Sequence, residues 1–465
     1  MQNNQYFVIA TKYAIVNNNA ASIKNRKLLF YLSVCIGAFM LFIPAIFNGY
    51  PIVNPDDGTY LWSGFCPATP VDRPIGYGLT LWLTSFGGIS LFLSAFCQCW
   101  LMSWLITKCF QRIFPNANYL VLAPAAILVL AFCSSASWIC SELLPDFYTS
   151  VGLLCLVLLL LQKENKLNNV LLFFIYTVAM STHMSHVAIF IVVIAGTLLF
   201  RKKLFSEQQV KNAALRLFAA LTLTLGSLFT MGYAMGCSSH VFAMAALLEQ
   251  GVLKEYLDDK CPTEHYKICD YKEQLAQNRD PNVFLWLPES PLHLTGGWEA
   301  NKEEYSQIIR GTLSSPKYIL LRAKMSLKYT GKQAMEFGIG DGNAPLFTFK
   351  KELTDYTPSD TTAYLNAKQQ KGQLLPIVKL PNTVFKVIVI ASLLLLGLVI
   401  AFSKKKTQPF ILFAFLALLF VLANLWVCAT FGQVNGRYGC RVMWLIPLCA
   451  IIGVIQWRLP RGNRI

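Results

Sequence analysis

The sequence predicts an all-α polytopic membrane protein. Three observations carry that reading. Of the 465 residues, 55% are hydrophobic and only 14% charged. The apolar residues gather in runs that approach the ~20 needed to cross a bilayer as helix. The basic residues fall between alternate runs, as the bias of cytoplasmic loops toward Lys and Arg demands.

Ten spans are expected. The first, 28–48, reads "LLFYLSVCIGAFMLFIPAIFN". The second is 88–109, preceded by a shorter apolar helix at 75–87. The third and fourth are 118–134 and 148–162. Two short spans, 168–182 and 187–200, meet at "STHMSH". The seventh is 213–233. The last three are 383–402, 409–428 and 441–456. The chain thus divides into a cytoplasmic segment 1–27, a membrane core 28–233, an extracytoplasmic cap 234–382, C-terminal spans 383–456 and a cytoplasmic tail 457–465.

The net charge of +16 suggests nucleic acid until it is placed on this topology. With the N-terminus inside, the inner segments hold 19 Lys and Arg against only Glu164 and Glu207. The whole excess then lies on one face, in "KCFQR", "QKENK", "RKK" and "SKKK". Nucleic acid is excluded as a partner, and both termini are expected in the cytoplasm. The first apolar run is full length with basic flanks, so it reads as a start-transfer helix that stays, not a cleaved signal.

Within the cap, "SSHVFAMAALLEQGVLKEYLDD" reads as one helix capped by Ser238 or Ser239. "PNVFLWLPESPLHLTGGW" reads as loop. "SPKYILLRAKMSLKYTGKQAMEFG" reads as an amphipathic helix whose Lys317, Arg322, Lys324 and Lys328 suit the headgroup layer. The polar stretch 340–380 reads as loop, ordered or mobile. Cys261 and Cys269 lie eight apart, and an oxidising compartment would bond them. Two free thiols, or pairing with Cys237, are the alternatives.

Polar groups near the span ends are the candidates for chemistry. "NPDDGTY" places Asp56 and Asp57 just after the first span. Locally this is a turn with Asp57 capping a helix. Acids at a membrane edge are also functional suspects, and a carboxylate there can take a proton from a hydroxyl. "SWICSELLPDFYTS" places Glu142 and Asp146 four apart, on one face if that turn is helical, or else as a solvated cap. "STHMSH" places His183 and His186 three apart, a spacing for metal or proton relay, or for a plain helix end. Arg73 in "PVDRPIGYG" and Arg437 and Arg441 in "GQVNGRYGCRVMW" suit phosphate, although Arg441 can also be a snorkelling anchor. No P-loop, G-x-S-x-G or H-E-x-x-H occurs. All of these groups are expected on the outer face.

These motifs together resemble the GT-C superfamily of membrane glycosyltransferases. "NPDDGTY" stands where that group carries an acidic motif after its first span. "ELLPDFYTS" is similar to its second-loop acid, and "GRYGCRVMWLIPL" to its late Arg-Tyr pair. The resemblance implies a sugar moved from a polyprenyl-phosphate-linked donor to an envelope glycan, lipid or protein acceptor. The site would face the periplasm of a bacterial inner membrane. It implies Asp56 or Asp57 as general base and Arg73, Arg437 and Arg441 on the donor phosphate. Glu142 or Asp146 would help bind the acceptor or a metal, and His183 and His186, by their spacing, are candidates for the same role. Mg or Mn is the one cofactor left open, and inversion at the anomeric carbon is the expected outcome. A lipid-pyrophosphate glycan polymerase or ligase, and a lipid or polysaccharide flippase, are the alternative functions.

Overall fold

The computed structural model describes residues 3–161, 165–402 and 407–458, with side chains from Arg26 onward. Lys163, Lys404, Lys405, Lys406, Arg461 and Arg464, and the side chains of Lys12 and Lys24, lie outside the described residues. The charge asymmetry that rests on them therefore stays a sequence argument. Among the described residues the chain is helical, and its one β pairing is an isolated bridge between Ile52 and Glu142.

The first half holds α1 (Asn3–Asn48), α2 (Asp57–Phe65), α3 (Gly76–Thr84), α4 (Leu91–Ile113), α5 (Tyr119–Cys133) and α6 (Ala136–Ser141). There follow α7 (Asp146–Leu160), α8 (Lys166–Ser181), α9 (Met184–Leu204), α10 (Glu207–Gly226) and α11 (Leu228–Glu249). Among the described residues, seven helices are long and apolar enough to cross a membrane. They are Arg26–Asn48, Leu91–Ile113, Met184–Leu204, Leu228–Glu249, Leu374–Phe402, Gln408–Phe431 and Gly436–Arg458. α5, α7 and α8 are apolar but shorter.

Hydrophobicity all round a helix means burial on all sides, and α7 is buried along its whole length. It is the axis of the bundle. Small side chains let neighbours approach: Ser103 Oγ of α4 donates to the Val34 carbonyl of α1 at 2.7 Å, and Ser33 Oγ reaches the Leu120 carbonyl of α5 at 3.1 Å. The helix Leu374–Phe402 lies at the edge, with Leu380, Val387, Ile390, Leu394 and Leu398 exposed for lipid.

The seventh expected span, 213–233, falls across two helices: α10 ends at Gly226 and α11, which of the two is the one long and apolar enough to cross a membrane, begins at Leu228. Lys211 and Arg216 lower the apolarity of α10. α11 runs on past residue 233 into the cap, where Val241, Met244 and Leu248 join the cap core. Ser238 therefore caps nothing; it sits inside α11 and its Oγ donates to the Ala234 carbonyl. The expected single cap helix also breaks, because Gly251 takes φ 76, a left-handed conformation that costs glycine little. The helix Val252–Lys260 follows.

"PNVFLWLPESPLHLTGGW" is not plain loop. It forms short helices at Pro281–Trp286 and Pro291–Leu294, each with proline in its first turn, and another at Gly297–Ala300. The amphipathic helix is present as Pro316–Met335. Cys261 and Cys269 are bonded, with Cα atoms 5.7 Å apart, and Cys237 is free.

The stretch 340–380 is ordered and packed over the start of the membrane core. Helices occupy Lys350–Tyr356 and Thr361–Asn366, and the edge helix already begins at Leu374. Gln369 binds the Val53 backbone on both sides, accepting from its N–H at 3.1 Å and donating to its carbonyl at 2.6 Å. Asp360 is buried and accepts from Tyr50 Oη, Ser90 Oγ and the Leu91 N–H. One carboxylate thus satisfies the N-terminus of α4.

α2 and α3 touch backbone to backbone. A Cβ on Gly78 would stand 2.5 Å from the Tyr60 carbonyl and 2.7 Å from the Gly64 nitrogen. Gly78→Ala is therefore expected to destabilise the fold by about 1–3 kcal/mol through overpacking. Gly236→Ala, where a Cβ meets nothing within 4 Å, is expected to be neutral or slightly stabilising. Thermal unfolding of the two variants in detergent checks the contrast.

Candidate functional site

Two main-chain hydrogen bonds build the site. The Ile52 N–H donates to the Ser141 carbonyl and the Leu143 N–H to the Ile52 carbonyl, both at 3.0 Å. They lock the turn after α1 beside the turn after α6. Gln98 of α4 braces the second turn, donating to the Cys140 and Glu142 carbonyls. The acids of "NPDD" and "ELLPD" are neighbours for this reason.

Charges then alternate across the end of the bundle. Asp56 meets Arg73 Nη1 at 3.1 Å and Arg437 Nη1 at 3.1 Å. Arg437 Nε faces Asp146 at 3.2 Å, and Arg441 Nη1 reaches the other Asp146 oxygen at 2.5 Å. Asp72 closes the Arg73 end. Three guanidinium groups are thus balanced by three carboxylates.

Exposure divides this chain in two. The side chains of Arg441 and Asp146 are 0% and 1% exposed, whereas Asp56 is 28% exposed and Arg437 16%. The inner pair is an anchor. Asn424 Oδ1 accepts from Arg441 Nε and Nη2, and the Tyr438 ring lies 4.9 Å from the guanidinium carbon. Arg441 is no snorkelling anchor at a lipid edge. The outer group, Asp56 with Arg73 and Arg437, is where a solute can arrive.

The turn that presents Arg437 is held from the cap. Gln333 is fully buried; it donates to the Asn435 carbonyl and accepts from the Asn435 N–H. Asn435 Oδ1 caps the following turn at the Arg437 N–H, which also faces Asp341. The basic cap helix therefore reaches the site through Gln333 and not through its charges. Lys317 pairs with Asp259 and Arg322 donates to Thr312, while Lys324 and Lys328 are exposed.

The adjacent acids Asp56 and Asp57 separate cleanly. Asp57 is buried, and its Oδ2 accepts the Asn54 N–H at 2.7 Å, closing the turn backwards rather than capping α2. Among the described residues no arginine pairs with it. Burial, then the neighbouring Asp56 and Glu142 charges, raises its carboxyl well above the ordinary range. Burial pushes on Asp56 the same way, but Arg73 and Arg437 override it and hold that carboxyl down at about 2. Asp56 is therefore ionised at neutral pH, whereas Asp57 is shifted in the opposite direction, toward its protonated form.

Glu142 and Asp146 do not share a helical face. Glu142 is extended at ψ 142, because the bridge to Ile52 straightens it, and α7 begins only at Asp146. Burial, with Asp146 nearby, raises Glu142 to about 8. A raised acid binds more protons in the folded than in the unfolded state. Stability from this group is therefore full below about pH 4.3 and is lost as pH rises through about 8. Glu142→Gln is expected to flatten that decline, read from thermal midpoints between pH 5 and 9.

The two histidines differ as well. His186 is buried with both nitrogens engaged, to the Ala179 carbonyl at 2.7 Å and Thr149 Oγ1 at 2.6 Å. His183 caps α9. Among the described residues no three His, Cys, Asp or Glu gather in a metal-binding arrangement. Asp56, the partly exposed carboxylate of the group, is engaged by Arg73 and Arg437.

Sequence reasoning missed Asn54, Asn424, Gln333 and Gln369. All are neutral amides, which carry no local signal and act across 17 to more than 300 residues. No family model matches the chain, and neither a curated protein nor a solved structure shows significant similarity to it.

Proposed function

We propose that this chain is a membrane glycosyltransferase that takes a sugar from a polyprenyl-phosphate-linked donor at the outer face of the plasma membrane. One observation carries the reading: a partly exposed carboxylate, Asp56, lies clamped between Arg73 and Arg437 at the open end of a buried ion chain. A carboxylate between two guanidiniums occupies the position that a phosphate fits.

In this reading the clamp is a resting state. Donor phosphate competes with Asp56 for Arg437 and Arg73. Once released, Asp56 loses the two charges that depress it and becomes basic enough to act. It takes the proton of the acceptor hydroxyl as that oxygen bonds to the anomeric carbon. The bond from that carbon to the phosphate oxygen breaks, inverting the centre. The bond electrons leave with the phosphate, whose new charge the arginines hold. No step is routed through a metal ion.

The same reading takes both termini as cytoplasmic and counts ten spans, the seventh at 213–233 across the end of α10 and the start of α11. The cap, residues 234–382, then faces outward. Exposed Leu320 and Leu327, beside Lys324 and Lys328, would lie in the headgroup layer and lead anionic lipid toward the cleft.

The test is a transfer assay with purified protein in sealed proteoliposomes and a radiolabelled polyprenyl-phosphate sugar. Release of free polyprenyl phosphate together with a labelled acceptor supports the reading. Movement of intact donor across the bilayer without bond cleavage defeats it.

A further inference from the structure

His183 has a fixed tautomer, and it points to a role that no other group at the site fills. Its Nδ1 lies 3.2 Å from the Ser185 N–H and 2.9 Å from Ser185 Oγ. A backbone N–H can only donate, so Nδ1 must carry the lone pair. The ring proton of the neutral imidazole therefore sits on Nε2. Nε2 has no hydrogen-bond partner among the described residues, and the residue is partly exposed.

His186 has the opposite tautomer. The Ala179 carbonyl can only accept, so Nδ1 of His186 carries the proton and Nε2 takes the Thr149 hydroxyl. Its ring lies behind that of His183, centroids 5.4 Å apart. Of the two, only His183 has a group left for a ligand. It is also tied to the ion chain through Arg441: Ser185 Oγ accepts from Arg441 Nη2 at 3.1 Å. That contact leaves the Ser185 proton to His183 Nδ1.

The charged groups acting on this ring come from each surrounding element: Arg441 and Arg437 from the last segment, Asp146 from α7 and Asp56 from the first turn. Burial and Arg441 hold the imidazole down at about 3. It is neutral throughout the physiological range, which suits a donor and not a switch.

We propose that His183 donates its Nε2–H, as a neutral imidazole, to a phosphate oxygen of the lipid-linked donor bound at Arg437. This rests on the reading of Asp56, Arg73 and Arg437 as the donor-phosphate site. His183 is then a phosphate-positioning residue on the side opposite Asp56 in the ion chain.

Two amide variants separate this role from helix capping. In His183→Asn the amide oxygen can stand where Nδ1 accepts, keeping the cap and losing the outward donor. In His183→Gln the amide nitrogen reaches where Nε2–H stood, keeping the donor and losing the cap. Binding of polyprenyl monophosphate to nanodisc-embedded protein is the readout. His183→Asn is expected to weaken it about ten- to a hundredfold, the range for a hydrogen bond to a charged group. His183→Gln should stay within about threefold of wild type, with a lower thermal midpoint. The ratio of wild-type to His183→Asn affinity should stay constant from pH 5.5 to 8, because the phosphate's own titration cancels.

Wild-type binding by His183→Asn, equal loss in both variants, or a ratio that grows below pH 6.5 each overturns the proposal. Inorganic phosphate is the second arm and should displace the lipid only weakly; full displacement at matched concentration overturns the lipid-linked assignment. Arg437→Ala reports on the parent reading separately. If it leaves lipid-phosphate binding unchanged, the donor site itself is wrong, whatever His183 does.

Discussion

Asp56→Asn is expected to yield a folded, membrane-inserted protein whose transfer rate falls about 10³-fold, within the range for loss of a positioned general base. Asparagine keeps the shape of the carboxylate and one acceptor for Arg73 or Arg437. It cannot take a proton. The thermal midpoint should fall little, because the group is partly exposed and its arginines keep Asp72 and Asp146 as partners. Asp57→Asn is the internal control. Its oxygen can still accept the Asn54 N–H, and burial already disfavours the charged form of the acid it replaces, so activity should stay within a few-fold of wild type. Equal losses in the two variants would mean that the turn, not the Asp56 carboxylate, is what activity needs.

The second large effect is on stability. Arg441→Met leaves Asp146 at the head of the central helix with one outer guanidinium in place of two, and strips Asn424 Oδ1 of both its Arg441 donors. Breaking one side of a buried ion pair costs roughly 3–5 kcal/mol. The expected result is low yield and a thermal midpoint well below wild type. The double change Arg441→Met with Asp146→Leu removes both buried charges and should recover much of the loss, as paired apolar replacements do. It would not recover activity, because Arg437 loses the carboxylate that orients it. Thermal unfolding of the two variants checks the first claim, and transfer assays check the second.

How much of this was legible in the sequence follows physical lines. Hydropathy located the apolar helices to within a few residues wherever a span ended at a polar turn, as at Asn48 or Ser181. It could not place the helix ends around 213–233, because α11 does not stop at residue 233 but runs on into the cap. The acids and arginines could be singled out because charge near a membrane edge is costly. Their pairing could not, since Asp56 and Arg437 are 381 positions apart. Nor could the difference between Asp56 and Asp57. The two are adjacent carboxylates with the same local sequence, and only tertiary direction makes one an arginine ligand and the other a turn constituent. The stretch 340–380 lacked apolar periodicity because amide hydrogen bonds, from Gln369 and Gln370, fasten it in place.

The central claim is that Asp56 holds the place of a donor phosphate until the donor arrives. A cryo-EM structure of the nanodisc-embedded protein with polyprenyl phosphate tests it most directly. The account predicts the phosphate at Arg437 and Arg73, with Asp56 detached from at least one of them and turned toward open space. Lipid density elsewhere, with Asp56 still clamped by both arginines, would contradict it.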